Sequence, residues 1–206
     1  MKTIKKLLTA SLFAIVSTAV SAQRSSGTFF AEYNPHQWDY TSSSAKDTNF
    51  HGVSVGFSYF VPVMGGLGFD AGLKGQYFFR REKENGIKYL TNMFSATVPV
   101  DVVYDLKLGG SFAIDPFAGI YGRFNFNAKD IEETEGQRHT HNLFDKDQAK
   151  SDGYETLDHF QLGWQAGVNF RIGDMVTIGA AYWMDFNEIG KDTKLHGFNL
   201  TLGTNF

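Results

Sequence analysis

The 206-residue chain has no cysteine and six histidines, so nucleophilic or metal chemistry here rests on hydroxyls, carboxylates and those imidazoles. Hydrolysis needs an imidazole beside an acid and a hydroxyl or activated water. His51 and Ser54 are three residues apart, which on an extended chain puts them on opposite faces and denies them a shared site. His159 follows Asp158, and His196 opens the last apolar-alternating segment; both are expected at strand ends, where a histidine is ordinary. His139-Thr-His141 sets two imidazoles on one face of an extended segment, the spacing of a divalent-metal pair, but without a third defined ligand. Gly66-Leu-Gly68-Phe-Asp-Ala71 fits a loose dinucleotide pattern, yet it opens a strand and no helix follows to receive a phosphate. No catalytic residue, metal or cofactor is therefore assigned, and the chain is not expected to be an enzyme.

The elements that carry these residues are strands. In Phe160-Gln-Leu-Gly-Trp-Gln-Ala-Gly-Val-Asn-Phe-Arg-Ile172 every even position is apolar, while the odd positions are Gln, Gly, Asn and Arg. A helix of 3.6 residues per turn cannot sort those faces. The alternation recurs from Val53 to Val61, Leu67 to Phe79, Phe94 to Tyr104, Ala118 to Phe126, Val176 to Phe186 and Phe198 to Phe206, and more weakly at Phe29-Ala31-Tyr33. About eight strands result. Pro99 and Pro116 fall in or beside two of them and predict a bulge or a strand end, because proline removes a ladder donor.

Connectors alternate too. Pro62 to Gly66, Asp105 to Ser111 and Gly173-Asp174 are short turns, whereas 41–49, 80–88, 127–157 and 188–194 are polar and mostly longer. Segment 127–157 carries Lys129, Arg138, Lys146 and Lys150 against eight acids, a net charge of −4. The apolar face is heavy with Phe, Trp, Tyr, Val and Leu, and the polar face is mostly Gly, Ser, Thr, Asn and Gln, small groups suited to the crowded inside of a narrow barrel. A soluble lipocalin-type barrel would instead turn Lys and Glu to solvent. Strands of about 9–11 residues suffice to cross a bilayer. Tyr59, Tyr77, Phe79, Tyr104 and Tyr182 stand toward strand ends, where amphipathic rings favour the interface.

The first 22 residues predict export. Lys2, Lys5 and Lys6 precede a short apolar run from Leu7 to Val16, and Val20-Ser21-Ala22 offers a cleavage site. Beyond it, 16 basic and 22 acidic residues leave a net charge of −6, so nucleic acid is excluded as a partner. The domain reading is a cleaved signal peptide over 1–22 and one barrel domain over 23–206. By strand parity the inward charges are Glu32, Asp70, Lys74, Asp101, Asp115, Arg123, Arg171 and Asp185. Charges inside must pair, because an unpaired one costs several kcal/mol. Arg171 is expected against Asp70, Asp101 or Asp115.

The signal peptide, the alternation, the stretch Ala96-Thr-Val-Pro-Val-Asp-Val-Val-Tyr104 followed by Pro116-Phe-Ala-Gly-Ile-Tyr121, and the strand His196 to Phe206 ending on an aromatic together resemble a known family. It is that of the small Gram-negative outer-membrane barrels of the OmpX and OmpA type, in their Bacteroidota-style form, over residues 27–206. The resemblance implies an all-β, eight-stranded antiparallel up-and-down transmembrane barrel in the outer membrane, with termini and short turns in the periplasm and long loops outside. It also implies that Phe206, with Leu202 and Leu200 on the same strand face, is the signal read by the barrel-assembly machinery. The expected partners are outer-membrane lipid, that machinery, and an extracellular or envelope protein met through loop 127–157, where His139 and His141 lie. The expected role is structural or surface-interactive, with an interior filled by side chains rather than open as a general porin. An outer-membrane enzyme acting on lipid A or peptides, or a PorT-like secretion-associated barrel, is the alternative.

Overall fold

A computed structural model describes residues 26–40, 48–84, 86–109, 111–134, 137–152, 156–173 and 175–206; the expected signal peptide and most of connector 41–49 lie outside them. Eleven strand segments follow in order: β1 (Ser26–Tyr33), β2 (His36–Tyr40), β3 (Thr48–Met64), β4 (Leu67–Glu84), β5 (Ile87–Tyr104), β6 (Leu106–Gly109), β7 (Phe112–Thr134), β8 (Gln137–Asn142), β9 (Phe160–Ile172), β10 (Val176–Asp185) and β11 (Thr193–Asn205). One short helix, α1 (Lys146–Asp152), lies between β8 and β9.

These segments build one closed ring of eight staves. β1 and β2 form a single stave broken at Asn34-Pro35, because β1 and β2 both pair with β11 on one side and β3 on the other. From β3 the ring runs through β4, β5, β7, β9 and β10 to β11, each antiparallel to the next. Closure at β1–β11 joins the staves of the ring side to side, the requirement for a sheet whose outer face meets no water, while β6 and β8 pair with β7 alone.

The alternation in sequence is the alternation of faces. Val55, Leu73, Ile120, Ile178 and Leu202 point outward and are exposed, while Ser54, Lys74, Gln76, Thr97, Gln161 and Asn199 point inward and are buried. No helix among the described residues is long and apolar enough to cross a membrane; the apolar surface belongs to the strands. Tyr59 and Tyr104 stand outward near the short turns, and Tyr33, Tyr77 and Tyr182 toward the other end, two aromatic girdles around that belt.

Three details differ from the sequence reading. Segments 80–88 and 127–142 are mainly hairpin arms rather than loops: β4 and β5 pair as far as Glu84 and Ile87, and β7 continues to Thr134 and folds back as β8. Their charges flank the strands on both faces, so no apolar alternation marks them, yet the ladder continues, with Ala128 and Ile131 both buried. Pro99 and Pro116 sit opposite Tyr121 and Val168 with no register shift, although the β4–β5 ladder lacks its pairs at Pro99 and Val98 and the β5–β7 ladder ends at Phe117, beside Pro116. Each removes one donor, and the neighbouring pairs hold the alignment. The register shifts lie instead at Pro62/Met64, Phe94/Ser95 and Lys107/Gly109.

Candidate functional site

The interior has a charged floor at the short-turn end and an aromatic plug at the other. The floor begins at Arg171 on β9, whose Nε and Nη2 donate to Asp115 on β7 at 2.6 and 3.1 Å. Its Nη2 also donates to Asp105 at 2.5 Å. Asp105 is a turn residue between β5 and β6, and face parity could not have found it. Lys74 on β4 pairs with Glu32 on β1 at 2.8 Å, and Ser54 and Thr201 also donate to that carboxylate. Asp70 accepts from Ser58 at 3.2 Å, and Asp101 from Gln165 at 2.7 Å. Arg171 therefore meets Asp115 but has no bond to Asp70 or Asp101 among those described.

Arg123 and Asp185 stand apart from that floor. They form an ion pair with side chains only 2% and 0% exposed, and Tyr121 donates to the same carboxylate at 2.6 Å. The guanidinium lies 5.2 Å from the Trp183 ring centroid and 5.9 Å from those of Phe78 and Tyr121, stacking distances for a cation on aromatic faces. Beyond it, His36 lies among Phe50, Phe78 and Trp183, with Trp38 stacked on Phe50 at 4.6 Å. Met93, Ala128, Ile189 and Leu195 complete this buried cluster. Sequence reasoning missed the plug. Its signal was present as Phe78 inside Tyr77-Phe-Phe79 and Trp183 inside Tyr182-Trp-Met184, large apolar residues on the polar face.

Inside the barrel, polar side chains also join across strands: Gln76 with Thr97, Ser95 with Asn125, Asn125 with Gln161, and Asn34 with Asn199. Asn125 and Gln161 both donate to the Asp158 carbonyl at the loop end as well.

The segment between β7 and β9 caps the plug. Leu143 donates its N–H to Ala128 and accepts from Leu157, Asp158 donates to Ile189, and Phe144 stacks on His159 at 4.1 Å. Leu143, Phe144 and Leu157 pack against the buried cluster, and α1 buries Ala149 while exposing Lys146 and Lys150. His139 and His141 lie on β8 opposite Glu132 and Asp130 of β7. Among the described residues no three metal-ligating side chains are grouped.

The outward histidines have other neighbours. His51 Nδ1 lies 2.6 Å from the Tyr33 hydroxyl, His159 Nδ1 donates to the Asn125 carbonyl at 2.7 Å, and His196 stands between Asp39 and Gln37. None of these partners is a serine. Ser54 points inward, away from outward-facing His51.

Phe206 lies against β1. Its N–H and C=O exchange bonds with Gly27 at 3.0 and 3.1 Å, and its ring stacks on Phe29 at 5.1 Å and Phe57 at 6.1 Å. Leu200 and Leu202 are on the same outward face, opposite Tyr33 and Ala31.

No protein-family model matches the chain, and no curated protein matches it. Its likeness is to solved barrels. It resembles Ail, the attachment invasion locus protein of Yersinia pestis, at 14% identity and a TM-score of 0.53, covering 89% of this chain and 100% of that one. It resembles Neisserial surface protein A (NspA) at 12% identity and a TM-score of 0.51, covering 89% and 98%. At those identities the likeness shows the fold: an eight-stranded up-and-down barrel of the kind found in small outer-membrane proteins.

Proposed function

We propose that the chain is an integral outer-membrane barrel with a closed interior, which presents the β7–β8–α1 cap outside the cell for contact with an extracellular or envelope protein. The observation that carries this reading is the stack of features along one axis. An apolar belt faces outward, an aromatic plug seals the loop end, and a folded, acidic cap covers the plug. A general porin needs a continuous aqueous path, and Trp38, Phe50, Phe78 and Trp183 fill the place where it would open.

Export through a signal peptide over 1–22 and a barrel domain over 23–206 belong to the same proposal, as does membership of the Bacteroidota-style OmpX and OmpA group. Short turns and the β1 and β11 ends face the periplasm, outer-membrane lipid surrounds the belt, and the assembly machinery recognises Phe206 with Leu202 and Leu200. The cap's partner is met near His139 and His141. Hydrolysis of lipid A or peptides is the weaker reading: of His51, His159 and His196, only His196 has an acid among the partners named, Asp39 at 3.6 Å, and with no serine beside it that pair could act only through water. Nothing in the site favours a PorT-like secretion role.

The test has two parts. Purified folded protein in liposomes should give no swelling with small sugars; steady swelling would contradict the closed interior. A photoreactive amino acid at His139 or His141 in growing cells should give a discrete protein adduct, and crosslinks to lipid alone would remove the partner from the account.

A further inference from the structure

Beyond the aromatic girdle at the loop end, the β4, β5, β7 and β8 arms form an outward sheet face four strands wide. Its rows follow from the register: Tyr77 stands beside Phe94, Phe79 beside Asn92 and Lys129, Arg81 beside Leu90 and Ile131, and Lys83 beside Lys88, Glu133 and Arg138. The first row belongs to the apolar belt, where Tyr77 and Phe94 are exposed. The last two rows enclose a groove of about 480 Å³, floored by Leu90 and Ile131 and bordered by Arg81, Lys83, Lys88 and Arg138.

The acids that line this groove are already taken, Glu133 by Lys88 at 3.3 Å and Glu82 by Arg80. Arg81, Lys83 and Arg138 have no carboxylate partner among the described residues. Lys83 also stands directly opposite Lys88 in the β4–β5 ladder, and like charges so placed destabilise a sheet. Across the ring, the outward charges of β11 and β2 show no such excess, because Lys194 stands opposite Asp39. The unmatched positive charge is therefore gathered on one side of the barrel.

Height above the belt selects the anion. Arg81 is four residues past Tyr77, about 13 Å along the strand and about 10 Å higher at a tilt of about 40°. A phospholipid headgroup layer is about 5–8 Å deep on each side of a bilayer, and a phosphorylated sugar stands taller. Resting on the reading of the chain as an outer-membrane barrel, we infer that this groove binds the phosphorylated sugar headgroup of an outer-leaflet glycolipid. Arg81, Lys83 and Arg138 give charge-assisted donors to its phosphates, and Leu90 and Ile131 receive the C–H faces of its sugars. The groove uses the face of β8 opposite to that of His139 and His141, so it does not compete with the proposed protein contact.

The test uses the folded full-length barrel in phosphatidylcholine nanodiscs, with or without purified lipid A, a bisphosphorylated glucosamine-disaccharide lipid. Lipid A should move the amide signals of Arg81, Leu90, Ile131 and Arg138, and phosphatidylglycerol at equal charge should not. The variant Arg81→Gln/Lys83→Gln/Arg138→Gln should weaken lipid A binding by about tenfold or more while keeping its heat-dependent gel shift. Lys107→Gln/Lys194→Gln should bind as the wild type does. Equal movement with phosphatidylglycerol, undiminished binding by the triple variant, or a response to soluble dextran sulfate but not to lipid A would overturn the site. Should the triple variant fail to fold, the wild-type map decides alone: movement of those four amides with lipid A supports the site, and its absence refutes it. A chain that fractionates with the outer membrane yet shows no movement loses this site alone, whereas recovery in the soluble fraction removes the membrane reading beneath it.

Discussion

Arg123 on β7 and Asp185 on β10 form an ion pair buried beneath the Trp183 ring, at the point where the interior of the barrel changes from polar to aromatic. Among the described residues Asp185 is the only counter-charge to a guanidinium walled in by Phe78, Tyr121 and Trp183.

Asp185→Ala should destabilise the barrel by about 3–5 kcal/mol, since it strands a buried charge. Arg123→Met/Asp185→Leu should cost less than Asp185→Ala alone, because it leaves no buried unpaired charge, only the Tyr121 hydroxyl without its acceptor. Urea unfolding in detergent, followed by the heat-dependent gel shift, ranks the variants. Equal losses for the single and double variants would mean that the pair contributes packing only.

Phe206 and Gly27 predict an effect of packing separable from recognition. A β-carbon at position 27 would run into the Phe206 ring, so Gly27→Ala should slow folding into pure lipid vesicles. Phe206→Ala loses two aromatic contacts of about 0.5–1.5 kcal/mol each and should slow it as well. In cells, Phe206→Ala should be depleted from the outer membrane more than Gly27→Ala, because it alone also alters the proposed assembly signal. Insertion of Phe206→Ala at wild-type levels would remove that role.

The cap predicts a protease pattern. Lys146 and Lys150 are exposed on α1, so trypsin added to intact cells should cut there. Phe144→Ala removes the ring stacked on His159 and should speed the cut without changing the gel shift. Cleavage only after the outer membrane is broken would invert the orientation.

Much of this was legible from residue types. The period-two faces are written into Phe160 to Ile172, and they fix which way each interior charge points because a one-residue slip would turn the whole strand over. The hairpin arms beyond the membrane were not legible, since Arg80 to Lys88 and Lys129 to Glu133 are charged on both faces. Asp105 escaped because a turn residue has no face parity, yet it closes on Arg171. The plug escaped for a different reason: Phe78 and Trp183 each sit between outward apolar residues, and the longer apolar run hides the one that turns inward. Where the barrel leaves the bilayer, its interior becomes an ordinary apolar core.

The most direct measurement is cell fractionation with the heat-dependent gel shift, comparing wild type with Val168→Arg. Val168 lies between Pro116 and Ala180 on the outward face of β9, and a charge at mid-bilayer costs about 2–4 kcal/mol. Wild type should fractionate with the outer membrane and shift on boiling, while Val168→Arg is depleted there. A wild type recovered in the soluble fraction, or a Val168→Arg variant that inserts as well as wild type, would contradict a lipid-facing belt.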